Sequence, residues 1–313
     1  MALHQVSGRW KRGLALAMVT AACWATLPVA LKITLEALDP YTLTWFRFLV
    51  AALVMLLWLG TRGGLSAFTR LDGKRWWLLS LAALLLIGNY VFYLLGVQHT
   101  SPGNAQLLIQ LAPLLMALGG IFVFREPYRW GQWCGLLIIT VGLAMFFKDQ
   151  LQSTTLAPRD YLLGSGLVIA AAVVWAGYAL IQKQLLVRLG SPAILLYIYA
   201  LASVLLLPLA QPRAVLALDA RHAWLLAYCV LNTLVAYGAF AEALEHWQAS
   251  RVSAILATTP LLCLAVVAGV HALSPTAVAP ELVSTTGYVG AALVVIGSAL
   301  SSLLGKSVAV TGE

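Results

Sequence analysis

Acidic and basic residues are scarce in this chain. Together they make up 10 % of its 313 positions, against 62 % apolar residues. A soluble domain carries about 25 % charged residues to keep its surface in water, so the deficit leaves no room for a soluble domain. Cysteine is also rare. Cys23, Cys134, Cys229 and Cys263 each lie inside an apolar run, none forms a CxxC pair, and none has a histidine at ligand spacing. They read as small buried hydrophobes, with neither a disulfide nor a metal site. No HExxH motif, no serine–histidine pair at reactive spacing and no acidic pair occurs within the apolar runs, and Asp72 and Asp219 are isolated loop residues. An intramembrane enzyme would need one of these groupings. No cofactor is implied.

What fills the chain instead is a series of apolar runs. The first five are 13–35, 42–60, 76–97, 102–124 and 130–147; the second five are 161–183, 192–209, 223–244, 251–272 and 286–304. Each approaches the roughly 20 residues that cross ~30 Å of hydrocarbon as a helix. In lipid the backbone must satisfy its own hydrogen bonds, and these runs are too long for barrel strands. Turn signals separate them, among them Asp39-Pro40, Ser101-Pro102-Gly103 and the loop with Pro275 and Pro280. The first run, from Gly13 to about Leu35, is too long for a signal-peptide core and reads as an uncleaved span.

The net charge of +8 forms no stripe, so a nucleic-acid partner is not indicated. It describes a basic membrane side instead. With the N-terminus cytoplasmic, thirteen Lys and Arg fall on the inner side and five on the outer, as the positive-inside rule requires. Both termini inside calls for an even number of spans.

The two halves repeat. Trp24 and Lys32 recur 151 residues on as Trp175 and Lys183. The stretch from Trp77 to Leu115 recurs at a constant interval of 147, matching Tyr90 with Tyr237, His99 with His246 and Pro113 with Pro260. Five spans per copy is an odd number, which inverts the second copy. The expected fold is therefore an all-α integral membrane protein of ten helices in two inverted five-helix repeats, 1–150 and 158–306. That architecture belongs to alternating-access transporters with a site near the midplane.

Several motifs resemble one family. They are Asn104-Ala105, Leu111-Ala112-Pro113-Leu114, Phe124-Arg125-Glu126-Pro127, Gln132-Trp133-Cys134-Gly135 with Gly142, Trp24-x3-Pro28-x3-Lys32, Arg47 and Trp175-Ala176-Gly177-Tyr178. Over nearly the whole chain the sequence is similar to EamA-type transporters of the drug/metabolite transporter superfamily. The second copy departs from the pattern, with Ala272-Leu273 and a longer loop where the Arg-Glu-Pro turn is expected. The resemblance implies ten helices, a central cavity, and transport of small metabolites, commonly outward.

Polar groups inside spans cost several kcal/mol unless paired or wetted, so the few present are candidates for substrate contact. Gln106 and Gln110 share a face with Pro113, which withholds a hydrogen bond and leaves a backbone carbonyl free. Pro260, beside Thr258, repeats the break. Asn89 and Tyr93 share a face, with Tyr90 adjacent and Tyr237 its repeat mate; Trp24, Trp175 and Tyr178 lie at mid-depth. Each has a structural alternative in helix packing or interhelical hydrogen bonding. Lys32 is placed to meet Glu36, Asp39 or an anionic substrate group. Arg47 is expected to pair with Asp39 or Glu36 at the rim, or to snorkel, and Glu126 to complement a helix dipole. Glu242 and Glu245 are the only carboxylates near a span interior, which is compatible with a facilitator or exchanger without strong proton coupling and leaves coupling open. The glycines of the last helix in each half suit close packing, within the chain or in a homodimer. The expected function is a transporter of small organic metabolites such as amino acids; the alternatives are an intramembrane enzyme and a non-transporting receptor. The expected partners are a small-molecule substrate and the lipid bilayer.

Overall fold

The computed structural model describes residues 9–124, 129–153, 157–186, 189–247 and 249–304. The Arg125-Glu126-Pro127 turn lies outside them, as do the side chains of Tyr237 and Glu245. The described residues form helices without a strand: α1 (Trp10–Thr34), α2 (Pro40–Thr61), α3 (Gly73–His99), α4 (Pro102–Leu108), α5 (Leu111–Phe124), α6 (Trp130–Ser153), α7 (Pro158–Leu185), α8 (Ser191–Leu206), α9 (Pro212–Leu216), α10 (Ala220–His246), α11 (Ala249–Leu256), α12 (Thr259–Leu273) and α13 (Thr285–Leu303). Eight stretches are long and apolar enough to cross a membrane, with α4–α5 and α11–α12 each counted as one. Two shorter apolar helices, Ser191–Leu206 and Thr285–Ser301, accompany them.

Short polar residues start several of the helices. Asp39 accepts from the amides of Tyr41 and Thr42 at 2.9 and 3.0 Å, with Pro40 in the first turn of α2. Asp72 caps α3 through Arg75 N, and Asp219 caps α10 through His222 N. These two acids, isolated in sequence, are repeat mates 147 residues apart with one job, satisfying the free N–H groups of a helix start. Inside the helices, the hydroxyls of Thr34, Thr44, Thr140, Ser203 and Thr233 donate to the carbonyl four residues earlier. That local bond hides a polar group from lipid.

The helices pair closely as α6 with α13, α3 with α7, α1 with α10, and α2 with α8. Glycine sets the distance at the closest contacts. A Cβ on Gly135 would meet the Gly297 carbonyl at 2.7 Å, and one on Gly297 would meet the Gly135 carbonyl at the same distance. Gly142 and Gly290 stand in the same reciprocal relation, at 2.6 and 2.8 Å. The glycines of α6 and α13 are thus used within the chain. Two further contacts correspond under the repeat. Gly13 on α1 lies against Trp247 at the end of α10, and Gly164 on α7 lies against Thr100 at the end of α3. Large apolar side chains such as Leu57, Phe122 and Leu137 face outward, as a lipid-solvated surface requires.

Candidate functional site

The two broken spans come first. Ile109 and Gln110 interrupt α4–α5, and Ala257 and Thr258 interrupt α11–α12, at corresponding places in the repeat. The carbonyls expected to be free below the prolines are engaged. Ile109 O accepts from Ala112 N at 2.9 Å, and Leu256 O accepts from the Thr259 hydroxyl. The chain tightens locally and re-satisfies them. The Thr258 hydroxyl donates to Ile255 O at 2.7 Å. Gln110 is half-buried at its break.

The expected site residues divide into groups. Tyr93 donates to Gln106 Oε1 at 3.2 Å, joining α3 to α4. Asn89 is spent on α7, donating to Ala171 O at 2.9 Å. Trp24 rests against Phe240, ring centroids 5.9 Å apart. Tyr90, Trp175 and Tyr178 belong to the largest apolar cluster, between α2, α3, α7 and α8.

That cluster surrounds a group the sequence placed wrongly. Arg47 reaches neither Asp39 nor Glu36 and does not snorkel; it is 2 % exposed. Its Nε and Nη2 both donate to Thr233 Oγ1, at 3.2 and 3.0 Å, and its guanidinium lies 5.2 Å from the centre of the Tyr90 ring. Phe48 fills the gap between Tyr90 and Tyr199, with centroids at 4.6 and 5.3 Å. The reason is depth. Arg47 lies seven residues past Pro40, about 10 Å along the helix, too far in for the rim acids, one of which is already capping α2. Among the described residues no carboxylate pairs with it. An unpaired arginine at the centre of a span costs roughly 2.5–3.5 kcal/mol on insertion scales, and Thr233 and the Tyr90 face offset only part of that.

A second constellation clamps the α3–α4 junction. Lys32 meets neither Glu36 nor Asp39; its ammonium donates to Val97 O, Gln98 O and Thr100 O at 2.8, 2.7 and 2.7 Å. A cation thus closes the carbonyl end of α3. Glu281, from the loop between α12 and α13, closes the amide end of α4. It accepts from Gly103 N at 3.0 Å, Asn104 N at 2.9 Å and the Ser101 hydroxyl. Both charges complement the helix dipoles they face. Burial pushes the Glu281 carboxyl up, while these bonds and the Lys32 ammonium pull it down; burial prevails. Asp149 does the same for α13, accepting from Ser284 N at 3.2 Å and from its hydroxyl. Carboxylates near span interiors are therefore not confined to Glu242 and Glu245. The signal for Glu281 was available: it follows Glu126 by 155 residues, the interval that separates Gly135 from Gly290 and Gly142 from Gly297. The second copy keeps its glutamate beyond a longer loop.

Multiple apolar spans, two of them broken at matching positions, and a polar cluster buried between the halves define a polytopic membrane protein of the transporter class. The chain belongs to the EamA-like transporter family, whose pattern it matches twice, over residues 11–148 and 162–303. It is 37 % identical to the uncharacterized inner membrane transporter YhbE of Escherichia coli (strain K12), over 93 % of this chain and 91 % of that protein. An uncharacterized transporter of Haemophilus influenzae is 31 % identical over 93 % and 94 % of the two chains. A probable amino-acid metabolite efflux pump of Escherichia coli (strain K12) is 21 % identical over 90 % and 92 %. A crystal structure at 21 % identity aligns over 97 % of this chain and 100 % of its own with a TM-score of 0.63, a likeness of fold.

Proposed function

We propose that this protein moves small organic metabolites, of the amino-acid type, across the inner membrane, and that it acts as an exporter. Two inverted five-helix halves, 1–150 and 158–306, rock about a central cavity, with both termini cytoplasmic. The observation that carries the reading is the pair of broken spans at corresponding positions, beside the Tyr90–Tyr93–Gln106 group. Half-helices of this kind mark substrate sites in inverted-repeat transporters. The paired contacts of Gly13 with Trp247 and Gly164 with Thr100 support the inversion, because each joins the start of one half to the third helix of the other. The name of the efflux-pump relative supports the substrate class.

In this reading Trp24, Tyr90, Tyr93, Gln106, Gln110, Trp175, Tyr178, Tyr237 and Thr258 line the path. Asn89 and Lys32, held by backbone carbonyls in this state, hold its walls in place. Tyr90→Ala and Gln110→Ala should each slow counterflow at least tenfold, an effect of about 1.4 kcal/mol, while both variants elute as folded protein. Wild-type kinetics in both would remove the site from this place. Single cysteines should map the orientation: one at Ser66 should react with a membrane-impermeant reagent only after the membrane is opened, and reaction in intact cells would invert the topology.

A further inference from the structure

We infer that Arg47 and the tyrosines around it form a carboxylate-binding subsite, so that the transported solute is an organic acid or a zwitterion presenting its carboxylate to this guanidinium. The inference rests on the transport reading above and narrows its substrate class. Its ground is an imbalance of donors. Arg47 gives two of its five N–H groups to one oxygen, Thr233 Oγ1, which passes its own proton to Cys229 O at 2.9 Å. Nη1 donates to no described residue. The guanidinium carbon lies 5.2 Å from the centre of the Tyr90 ring, in a residue only 2 % exposed.

The groups beside it are donors too. The hydroxyls of Tyr178 and Tyr199 are electrostatic neighbours of the Tyr90 hydroxyl. None of the three has a hydrogen-bond partner among the described residues, and Tyr178 and Tyr199 are buried. The tyrosines come from α3, α7 and α8, and the arginine and its threonine from α2 and α10, so both halves supply donors to one place. The nearby acids are occupied elsewhere: Asp39 caps α2, and Glu36 faces His222 at 3.7 Å. A buried guanidinium with free N–H groups, ringed by phenolic donors, is complementary to a carboxylate, which accepts two parallel N–H bonds. A neutral amide would leave the positive charge unanswered, and an amine would be repelled.

The test uses the full chain, purified in detergent for thermal shift and reconstituted in liposomes for counterflow. Glycine, L-phenylalanine, L-lactate and benzoate are each compared with their own primary amides. At least one acid should raise the melting temperature, its amide requiring roughly tenfold more for the same shift. Tyr199→Phe, which keeps the ring, should weaken the acid and leave the amide unchanged. Arg47→Gln should erase the preference. The inference is overturned if no acid shifts the wild-type protein, if amides match acids, or if folded Arg47→Gln keeps the preference. Should Arg47→Gln fail to fold, the wild-type acid-to-amide ratio and Tyr199→Phe decide. Counterflow of amides or amines without acid preference would sink this inference and leave transport standing. Acid-selective binding without counterflow of any solute would sink transport and leave the subsite standing.

Discussion

Glu281→Ala should lower the melting temperature of the purified protein by several degrees, although the residue lies in a loop. Its carboxylate satisfies the amides of Gly103 and Asn104 and the hydroxyl of Ser101 in a half-buried position. Removing it leaves the Gly103 amide without its partner and the Asn104 amide with the Ser101 hydroxyl oxygen alone, at 3.2 Å, and a buried unsatisfied donor costs about 1–3 kcal/mol. A loss of about 1–3 kcal/mol follows, with the α12–α13 loop released from α4. Glu281→Gln keeps one acceptor oxygen and should lose about half as much. Glu281→Asp is shorter by one methylene and should behave like alanine. Thermal unfolding followed by size-exclusion chromatography reads all three. An unchanged midpoint for Glu281→Ala would mean that the loop does not dock on α4.

Gly142→Val should be more damaging still. The added Cβ would stand 2.6 Å from the carbonyl oxygen of Gly290, on the backbone of a neighbouring helix. Backbone cannot swing aside as a side-chain tip does, so α6 and α13 must separate along their whole contact. Overpacking an ordinary core site costs about 1–3 kcal/mol; against backbone the cost should exceed that and leave little folded protein. Gly290→Val should do the same from the other side. Gly269→Ala on α12 is the control, since nothing lies within 4 Å of its added Cβ. It should leave the melting point unchanged or raise it slightly, alanine being the better helix former. Equal yields of folded Gly142→Val and Gly269→Ala would contradict the packing described.

The sequence was informative where physics forces local consequences. Lipid demands apolar helices of fixed length, so the runs from Gly13 to Leu304 were readable as helices. Proline withholds a hydrogen bond, so Pro113 and Pro260 marked the broken spans, although the exposed carbonyls they implied are recaptured by Ala112 and Thr259. The interval of 147 extends beyond the stretch that starts at Trp77: Asp72 and Asp219, read from the sequence only as isolated loop residues, cap α3 and α10 alike.

What escaped was set by tertiary contact. Arg47 was visible as a charge in a span, but only packing shows that Thr233 and Tyr90, distant in sequence, receive it. Tyr199 carries no motif and enters through its ring contact with Phe48. Glu281 was hidden by loop length, which moved it out of register with Glu126 when the 147 interval was carried forward. Lys32 was recognised as important and expected to meet Glu36, Asp39 or an anionic substrate group; the three backbone carbonyls it holds were missed because a helix end leaves no trace in side-chain identity.

Whether the protein moves a solute across a sealed bilayer is read by counterflow. The full chain is sealed in proteoliposomes preloaded with unlabelled amino acids, other small metabolites or planar cations, and labelled solute is added outside with and without a pH gradient. Transient accumulation of one chemically unchanged class, lost in Gln110→Ala, is the expected result. Folded protein that accumulates nothing, or that returns a chemically altered solute, would contradict it.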